Sequence, residues 1–223
     1  MAVGRQVRVS VCVPDLFFQV KITDVLRNFD VPVELVKLED ATGDVIIADL
    51  EADGVMEFEH PEKLLCFCSH VKGRLLNNAR KNNITAFTRN HFFKHLPSIL
   101  ERSFIPSERI LNFNQLQELF ASKEEYLLLD LREKHELDYG MLPGAKHLSR
   151  SELFMSLAQT SAEFRRDNGF DKPNKKQLIV LYCKTNNRSQ EIFYKMFKMG
   201  YNVKMYDGGT HEFALHDHAV MRY

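Results

Sequence analysis

The sequence predicts two α/β domains, each built on a parallel β-sheet covered by helices. The chain has 223 residues, which at about 150 residues per domain allows one large domain or two small ones. In both halves, short apolar runs alternate with helix-length segments, the order that produces parallel sheets. A polar stretch at 103–109, which contains Pro106, separates the halves. We therefore expect domains at residues 1–104 and 105–223.

The first half is predicted to form a doubly wound sheet with helices on both faces. Its strands are predicted at 7–13, 31–38, 44–48, 64–68 and 85–88. The strand at 44–48 is nearly all apolar, as strands covered on both faces are. Pro14 and Asp15 begin a helix whose apolar residues recur at helical spacing as far as Phe29. Further helices are predicted at 71–81 and 92–101.

The second half repeats this alternation in a different order. Helices are predicted at 114–121, 151–164 and 189–199, and strands at 126–130, 178–182 and 203–206. Pro143 and Gly144 indicate a turn, and Gly169 and Pro173 indicate a loop at 168–176. Gly200 follows the last helix as an expected C-terminal cap. The chain then ends in a histidine-rich tail.

Composition and charge exclude several classes of protein. Thirty basic residues balance thirty acidic ones, and a general nucleic-acid binder needs a basic face. No run reaches the roughly 18 apolar residues of a membrane span. Four cysteines are too few for a disulfide scaffold. The apolar run that ends at Val13 is too short for a secretory leader, so we expect a cytoplasmic protein with reduced thiols.

The segment after the strand at 178–182 carries the strongest chemical signal. The strand delivers Cys183 to the carboxyl edge of the sheet, where ligands bind in open parallel sheets. Four polar residues and Arg188 follow, and Ser189 is a plausible N-cap of the next helix. Main-chain N–H groups, the helix dipole, Lys184 and Arg188 would all favour thiolate over thiol. The loop thus offers a nucleophile and an anion cradle, although a cysteine at a strand end is often only a packing residue.

Residues 110–215 resemble a single-domain rhodanese, a sulfurtransferase. The strand ending at Asp130, followed by Arg132 and Glu133, is similar to the opening Asp-x-Arg-Glu of that family. The stretch 136–145 resembles its Gly-His-Ile-Pro-Gly-Ala segment, 183–188 has its Cys-x4-Arg length, and 207–209 is similar to its closing Gly-Gly motif. Three residues depart from the pattern: Met141 replaces His, Asn186 stands where many members have Gly, and Thr210 replaces an aromatic residue.

This resemblance implies a sulfur transfer through a cysteine persulfide, without a cofactor. Cys183 would attack the outer sulfur of a small anionic donor, and the sulfur would pass to a thiol or cyanide. The implied substrate-binding residues are those of the loop, Lys184, Thr185, Asn186, Asn187 and Arg188. Asp130, Arg132 and Ser189 are expected to support the loop.

Two alternatives to a sulfurtransferase stay open. A phosphatase of the related fold has five residues between Cys and Arg, whereas this loop has four, which favours a single sulfur. A regulatory or scaffold protein is the second alternative, because Met141 and Asn186 depart from the family pattern. In that case the loop would no longer catalyse sulfur transfer, and the first half would bind partner proteins.

Residues 7–100 resemble a response-regulator receiver domain in degenerate form, which has a flavodoxin-like doubly wound sheet. The segment 44–54 is similar to the strand that presents the phosphoacceptor, here Asp49. Asp15 matches one residue of the acidic pair after the first strand, but Pro14 occupies the other position. Ser69 or Cys68 lies near the usual hydroxyl, and Arg89 near the usual Lys. Phosphotransfer needs clustered carboxylates for Mg²⁺ and a Lys, so the resemblance favours an interaction or dimerisation module.

A metal site is not expected. Cys66, Cys68 and His70 alternate and would share one face of a strand. Structural zinc takes four ligands, and no second Cys/His pair is evident. Core packing is the simpler interpretation of these residues.

Overall fold

A computed structural model describes residues 7–216 of the chain. The chain divides into two compact units, Met1–Phe104 and Ile105–Tyr223. Each unit contains a five-stranded sheet, and every strand pairing in both is parallel. The predicted α/β class with two parallel sheets is therefore confirmed.

The first unit has the strand order β2-β1-β3-β4-β5. Its strands are β1 (Val9–Cys12), β2 (Val33–Leu35), β3 (Val45–Asp49), β4 (Leu64–Cys68) and β5 (Thr85–Thr88). Its helices are α1 (Leu16–Leu26), α2 (Gly73–Lys81) and α3 (Arg89–Ser103). This is the order of flavodoxin-like doubly wound sheets, in which the order of strand addition reverses between β1 and β3 while the strands stay parallel.

Two apolar layers cover this sheet. On one face, Cys12 and Cys66 pack with Leu76 and Ala79 of α2. On the other, α1 packs against α3, where the rings of Phe18 and Phe93 stack at 5.1 Å. Cys66 and Cys68 are fully buried members of the core, which agrees with the packing interpretation.

The second unit has the strand order β6-β10-β9-β7-β8. Its strands are β6 (Ile110–Leu111), β7 (Tyr126–Asp130), β8 (Lys146–His147), β9 (Leu178–Tyr182) and β10 (Val203–Tyr206). Its helices are α4 (Phe113–Ala121), α5 (Leu153–Ala158), α6 (Ser161–Asn168), α7 (Asn187–Lys198) and α8 (Gly209–His216). β9 is the central strand and all five of its residues are buried. The residue that follows β9 therefore emerges at the middle of the sheet edge.

Three predicted elements of the second unit are corrected by the structure. The helix expected at 151–164 is two helices, because Thr160 caps α6 in a capping box with Glu163 and ends α5 before it. α7 begins at Asn187 rather than Ser189, since Asn186 takes the capping position. The expected tail forms α8 as far as His216.

Residues 7–216 contain no membrane-spanning helix and no cluster of metal-binding side chains. No helix in that range has both the length and the apolar character that a membrane crossing requires. No three His, Cys, Asp or Glu side chains there group as the ligands of a metal ion do.

Candidate active site

Cys183 follows the central strand β9 and lies between the core and the polar loop. The residue is 1% exposed and belongs to an apolar cluster with Leu131 and Ile192. Its Sγ lies 3.7 Å from the Ser189 hydroxyl at the start of α7. The thiol is thus held at the base of the loop, at the edge of the apolar core.

Asn186 closes the loop by taking the left-handed conformation, with φ of +64°. Asn tolerates this region better than most residues other than Gly, because its short polar side chain can bond locally. Its amide donates to the Asp207 carbonyl at 3.0 Å and to the Asp207 carboxylate at 2.7 Å. The Ser189 hydroxyl in turn donates to the Asn186 carbonyl at 2.7 Å. The substitution that departs from the family pattern is therefore a tie between the loop and the end of β10.

The main chain of the loop is rich in unused donors. Within residues 7–216, the N–H groups of residues 184–188 donate to no acceptor. The first N–H groups of a helix lack intrahelical partners and carry its positive dipole end, and α7 begins in this segment. The loop thus has the donor set that an anion or a charged sulfur requires.

Side chains of the predicted substrate-binding set differ in their surroundings. Lys184, Thr185 and Asn187 are exposed, whereas Asn186 and Arg188 are half-buried. Lys184 forms no ion pair within the part of the chain that the structure describes. Of the two cations in this loop, Lys184 is the one whose charge no side chain within residues 7–216 compensates.

Arg188 pairs with Glu136, which the sequence had singled out only as part of a family stretch. Arg188 Nη2 lies 2.8 Å from Glu136 Oε1, and Nη1 contacts Oε2. The bond from Arg188 lowers the pKa of Glu136 to about 2. Glu136, and after it Cys183, raises the pKa of Arg188, so the guanidinium is charged at all working pH values. The two residues lie 52 positions apart in the sequence, so no local pattern links them.

Asp130 and Arg132 form a buried ion pair at the end of β7. Arg132 Nη2 and Nε lie 2.6 Å and 3.0 Å from Asp130 Oδ2. The Tyr182 hydroxyl donates to the same oxygen at 2.8 Å and accepts the Leu142 N–H at 3.1 Å. Burial and the neighbouring Asp130 carboxylate raise the pKa of Tyr182, so its hydroxyl keeps its proton. Tyr182 was not among the predicted supporting residues, because the sequence shows it only as the last residue of an apolar strand.

Arg132 also binds the main chain of segment 136–140, which contains Glu136. Its Nη1 donates to the Glu136 carbonyl at 3.0 Å and its Nη2 to the Gly140 carbonyl at 2.6 Å. Asp130 and Arg132 therefore brace the 136–140 segment, and this segment in turn contacts Arg188 of the loop.

The Gly-Gly motif brings α8 against the start of the loop. Thr210 N–H donates to the Cys183 carbonyl at 2.9 Å, and His211 N–H to the Lys184 carbonyl at 3.3 Å. Gly209 has φ of +58°, and a Cβ there would lie 2.4 Å from the Lys184 carbonyl oxygen. Only glycine permits this approach without a shift of the backbone.

Asp49 in the first unit has different surroundings. It ends β3, and its Oδ2 lies 3.3 Å from Arg89 Nη2. Asp15 is exposed and caps α1 through the N–H groups of Phe17 and Phe18. The Ser69 N–H donates to Glu51 at 2.9 Å. The acidic residues of this edge are thus engaged with protein donors.

Comparisons with known proteins bear on the second unit. A family model described as "Rhodanese-like domain" matches residues 112–216. The rhodanese domain-containing protein CG4456 of Drosophila melanogaster is 30% identical over 104 residues, 46% of this chain and 93% of that protein. A candidate mitochondrial thiosulfate sulfurtransferase of Schizosaccharomyces pombe is 25% identical over 125 residues, 52% of this chain and 88% of that protein.

Solved structures also match this chain, and one of them is a sulfurtransferase. The human single-domain sulfurtransferase TSTD1 is 25% identical, with a TM-score of 0.47 over 49% of this chain and 97% of that one. The resemblance seen in the motifs of the second half is confirmed by the family model and by the near-complete coverage of the Drosophila relative. The chain belongs to the rhodanese-like family, and its rhodanese-like domain spans residues 112–216.

Proposed function

We propose that this chain is a sulfurtransferase that carries a sulfane sulfur on Cys183. The observation that supports this most strongly is the row of N–H groups at 184–188, which have no acceptor within residues 7–216, beside a thiol at the end of the central strand. Membership of a family that includes sulfurtransferases supports the same class.

The reaction divides into two displacements. The Cys183 thiolate attacks the outer sulfur of thiosulfate or of a persulfide, the S–S bond of the donor breaks, and sulfite or a thiolate leaves. The enzyme then holds a persulfide anion. An acceptor, cyanide or a thiolate, attacks the outer sulfur of this persulfide, forms thiocyanate or a new persulfide, and releases the Cys183 thiolate. No oxidant or reductant is consumed, and the two steps predict ping-pong kinetics.

The loop would stabilise the charge that appears on the outer sulfur. Preorganised N–H donors act on such a charge as an oxyanion hole acts on oxygen, without reorganisation during the reaction. Lys184 adds an exposed positive charge at the mouth of the loop, and Ser189 lies next to the thiol. The main chain of Thr185, Asn186 and Asn187 would bind the donor, while the Asn186 amide keeps the loop closed.

Mass spectrometry after treatment with thiosulfate tests this function. The wild-type protein should gain one sulfur on the peptide that contains Cys183, and cyanide should remove it as thiocyanate. Cys183→Ser should gain none, and Cys66→Ser, which removes a buried core thiol, should behave as the wild type does. A wild-type protein that takes up no sulfur from thiosulfate or from a persulfide would contradict the proposal.

A second candidate is a regulatory protein whose first unit binds partners. The observation in its favour is that Leu16, Phe17 and Val20 of α1 are exposed apolar side chains. We propose that this receiver-like unit is an interaction module rather than a phosphoacceptor, since Asp49 is engaged with Arg89. Acetyl phosphate with Mg²⁺ should then leave the mass of the protein unchanged. A phosphate on Asp49 would show instead that the site is active.

We further propose that the protein acts in a reducing compartment, the cytoplasm. All four cysteines are free in the structure. Free buried thiols are usual where glutathione and thioredoxin keep them reduced. Imaging of the full chain with a fluorescent tag, followed by cell fractionation, would test the location.

A further inference from the structure

We propose that Glu136 is a positioning residue that makes the Cys183 site prefer monoanionic persulfide donors over dianionic thiosulfate. Glu136 does so by occupying Arg188, the cation next to the thiol. This role rests on the proposed function, which admits both donor classes.

The Arg188 guanidinium is committed to Glu136 by its geometry. Both terminal nitrogens face the carboxylate, with Nη2 at 2.8 Å from Oε1 and Nη1 in contact with Oε2. Such a two-bond pair fixes the plane of the guanidinium as well as its position. The side chains of Arg188 and Glu136 are only 21% and 22% exposed, so water screens the pair weakly. The positive charge of Arg188 is therefore cancelled where a donor would meet it.

Glu136 is itself held in place and cannot follow Arg188 toward a substrate. Its Oε2 accepts the Glu133 N–H at 2.9 Å. Its carbonyl accepts from Arg132, which is 3% exposed and paired with the fully buried Asp130. Movement of the Glu136 carboxylate would break the bond from the Glu133 N–H, and movement of its main chain would break the bond from Arg132, so the pair is a fixed feature of the site.

The charges left for a donor then suit one negative charge better than two. Lys184 is exposed and forms no ion pair within residues 7–216. The N–H groups of 184–188 contribute dipoles but no full charge. A thiosulfate ion brings a second negative charge close to the Glu136 carboxylate, and like charges placed together oppose binding. A persulfide of a small thiol brings only one.

The decisive variant is Glu136→Gln, which removes the charge and keeps an oxygen that accepts the Glu133 N–H. Donor preference is measured as the ratio of kcat/KM for thiosulfate to kcat/KM for the persulfide of 2-mercaptoethanol. We expect this ratio to rise about tenfold, mainly through a lower KM for thiosulfate, because Arg188 becomes available to the dianion. Glu191→Gln is the matched control, since it removes a carboxylate paired with Arg150 in the same unit and should leave the ratio unchanged. An unchanged ratio in Glu136→Gln, or an equal fall with both donors, would overturn the inference.

Binding measurements separate this inference from the proposed function. In a Cys183→Ser background, where no sulfur is transferred, calorimetry should show thiosulfate binding at least about fivefold tighter when Glu136 is Gln. This result is expected even if the wild type proves inactive. An equal affinity in the two proteins would overturn the role of Glu136.

Lys184→Gln provides a second variant that does not disturb the buried pair. Because Lys184 is the remaining cation of the loop, its loss should weaken thiosulfate binding at least about fivefold. The kcat/KM for the persulfide should change less than about twofold. Equal effects on the two donors would contradict the charge argument.

Discussion

The two units present the same motif, an aspartate at the end of a parallel strand with an arginine partner, in opposite surroundings. Asp130 ends β7, is fully buried and is bound by Arg132, which is 3% exposed, and by the Tyr182 hydroxyl. Asp49 ends β3 with its side chain 18% exposed and meets Arg89, which is 36% exposed, through one contact at 3.3 Å. The first is a buried ion pair that fixes the end of β7, whereas the second is partly exposed and is screened by solvent.

The two sheet edges also differ in the groups that they offer to a ligand. At the edge of the second unit, the N–H groups of 184–188 have no acceptor within the part of the chain that the structure describes. At the edge of the first, the Asp49 and Glu51 carboxylates accept the N–H groups of Glu51 and Ser69. The edge of the second unit is thus suited to bind an anion. At the edge of the first unit, the N–H donors of Glu51 and Ser69 are already bound by carboxylates of the same unit. The fold class is shared, and the loops after the strands decide what each edge can bind.

The largest expected difference between the units is in stability. Asp130→Asn leaves Arg132 buried without its counter-charge and should cost about 3–5 kcal/mol. Asp49→Asn should cost less than about 1 kcal/mol, because its pair is partly exposed and makes a single contact that solvent can screen. Urea unfolding followed by circular dichroism measures both. Equal losses in the two variants would show that the two pairs have the same role.

Gly209 tests whether the close contact between α8 and the loop is essential. Gly209→Ala places a Cβ within 2.4 Å of the Lys184 carbonyl oxygen at a φ of +58°. We expect a loss of about 2–3 kcal/mol in unfolding free energy and a clear fall in sulfur transfer. Gly169→Ala is the control, since φ there is +74° but no heavy atom lies within 4 Å. It should cost about 1 kcal/mol and leave transfer intact. If both variants lose the same unfolding free energy and the same transfer activity, the contact between Gly209 and the loop contributes to neither.

Thiol alkylation sharpens the contrast between the two edges. Burial raises the pKa of Cys66 to about 12 and that of Cys12 to about 11, so little thiolate is present at pH 8. Cys183 lies beside Ser189 and near the Arg188 guanidinium. Peptide mapping after iodoacetamide should find Cys183 labelled at least about tenfold faster than Cys66. Faster labelling of a cysteine in the first unit would contradict the assignment of the reactive thiol.

The smallest effect is expected on the pH dependence of stability. The pKa of Glu136 is lowered to about 2 in the folded chain, from an ordinary value of 4.5, chiefly by Arg188. Its contribution is complete above pH 4.5 and is lost as the pH falls toward 2. The unfolding free energy of the wild type minus that of Glu136→Gln should therefore shrink by about 1 kcal/mol between pH 6 and pH 3. A difference that stays constant over this range would mean that the pair adds no stability.

Local patterns were sufficient to predict most of the strands and helices and the position of Cys183 after a buried strand. The alternation of apolar strands and helices gave the α/β class, because periodicity reflects which face of each element is buried. The strand–loop–helix sequence placed Cys183 at the carboxyl edge of a sheet. The break between α5 and α6 was also readable, since Thr160 and Glu163 have the spacing of a capping box, but the apolar pattern across 151–164 obscured it.

These local patterns could not predict contacts between segments that are distant in the sequence. Glu136 and Arg188 are separated by 52 residues, and Asn186 and Asp207 by 21. The receiver-like character of the first unit and the roles of the loop residues stay predictions, since fold similarity alone does not assign a ligand.

The sequence by itself determined the α/β class, the rhodanese-like character of residues 112–216 and the place of Cys183 after a buried strand. The tertiary structure alone decided that Arg188 is paired, that Asn186 ties the loop to β10 and that five neighbouring N–H groups have no acceptor among residues 7–216. The physical reason is the range of each interaction. Strand and helix patterns arise from neighbours along the chain, whereas ion pairs and loop closure depend on segments that meet only when the sheet is assembled.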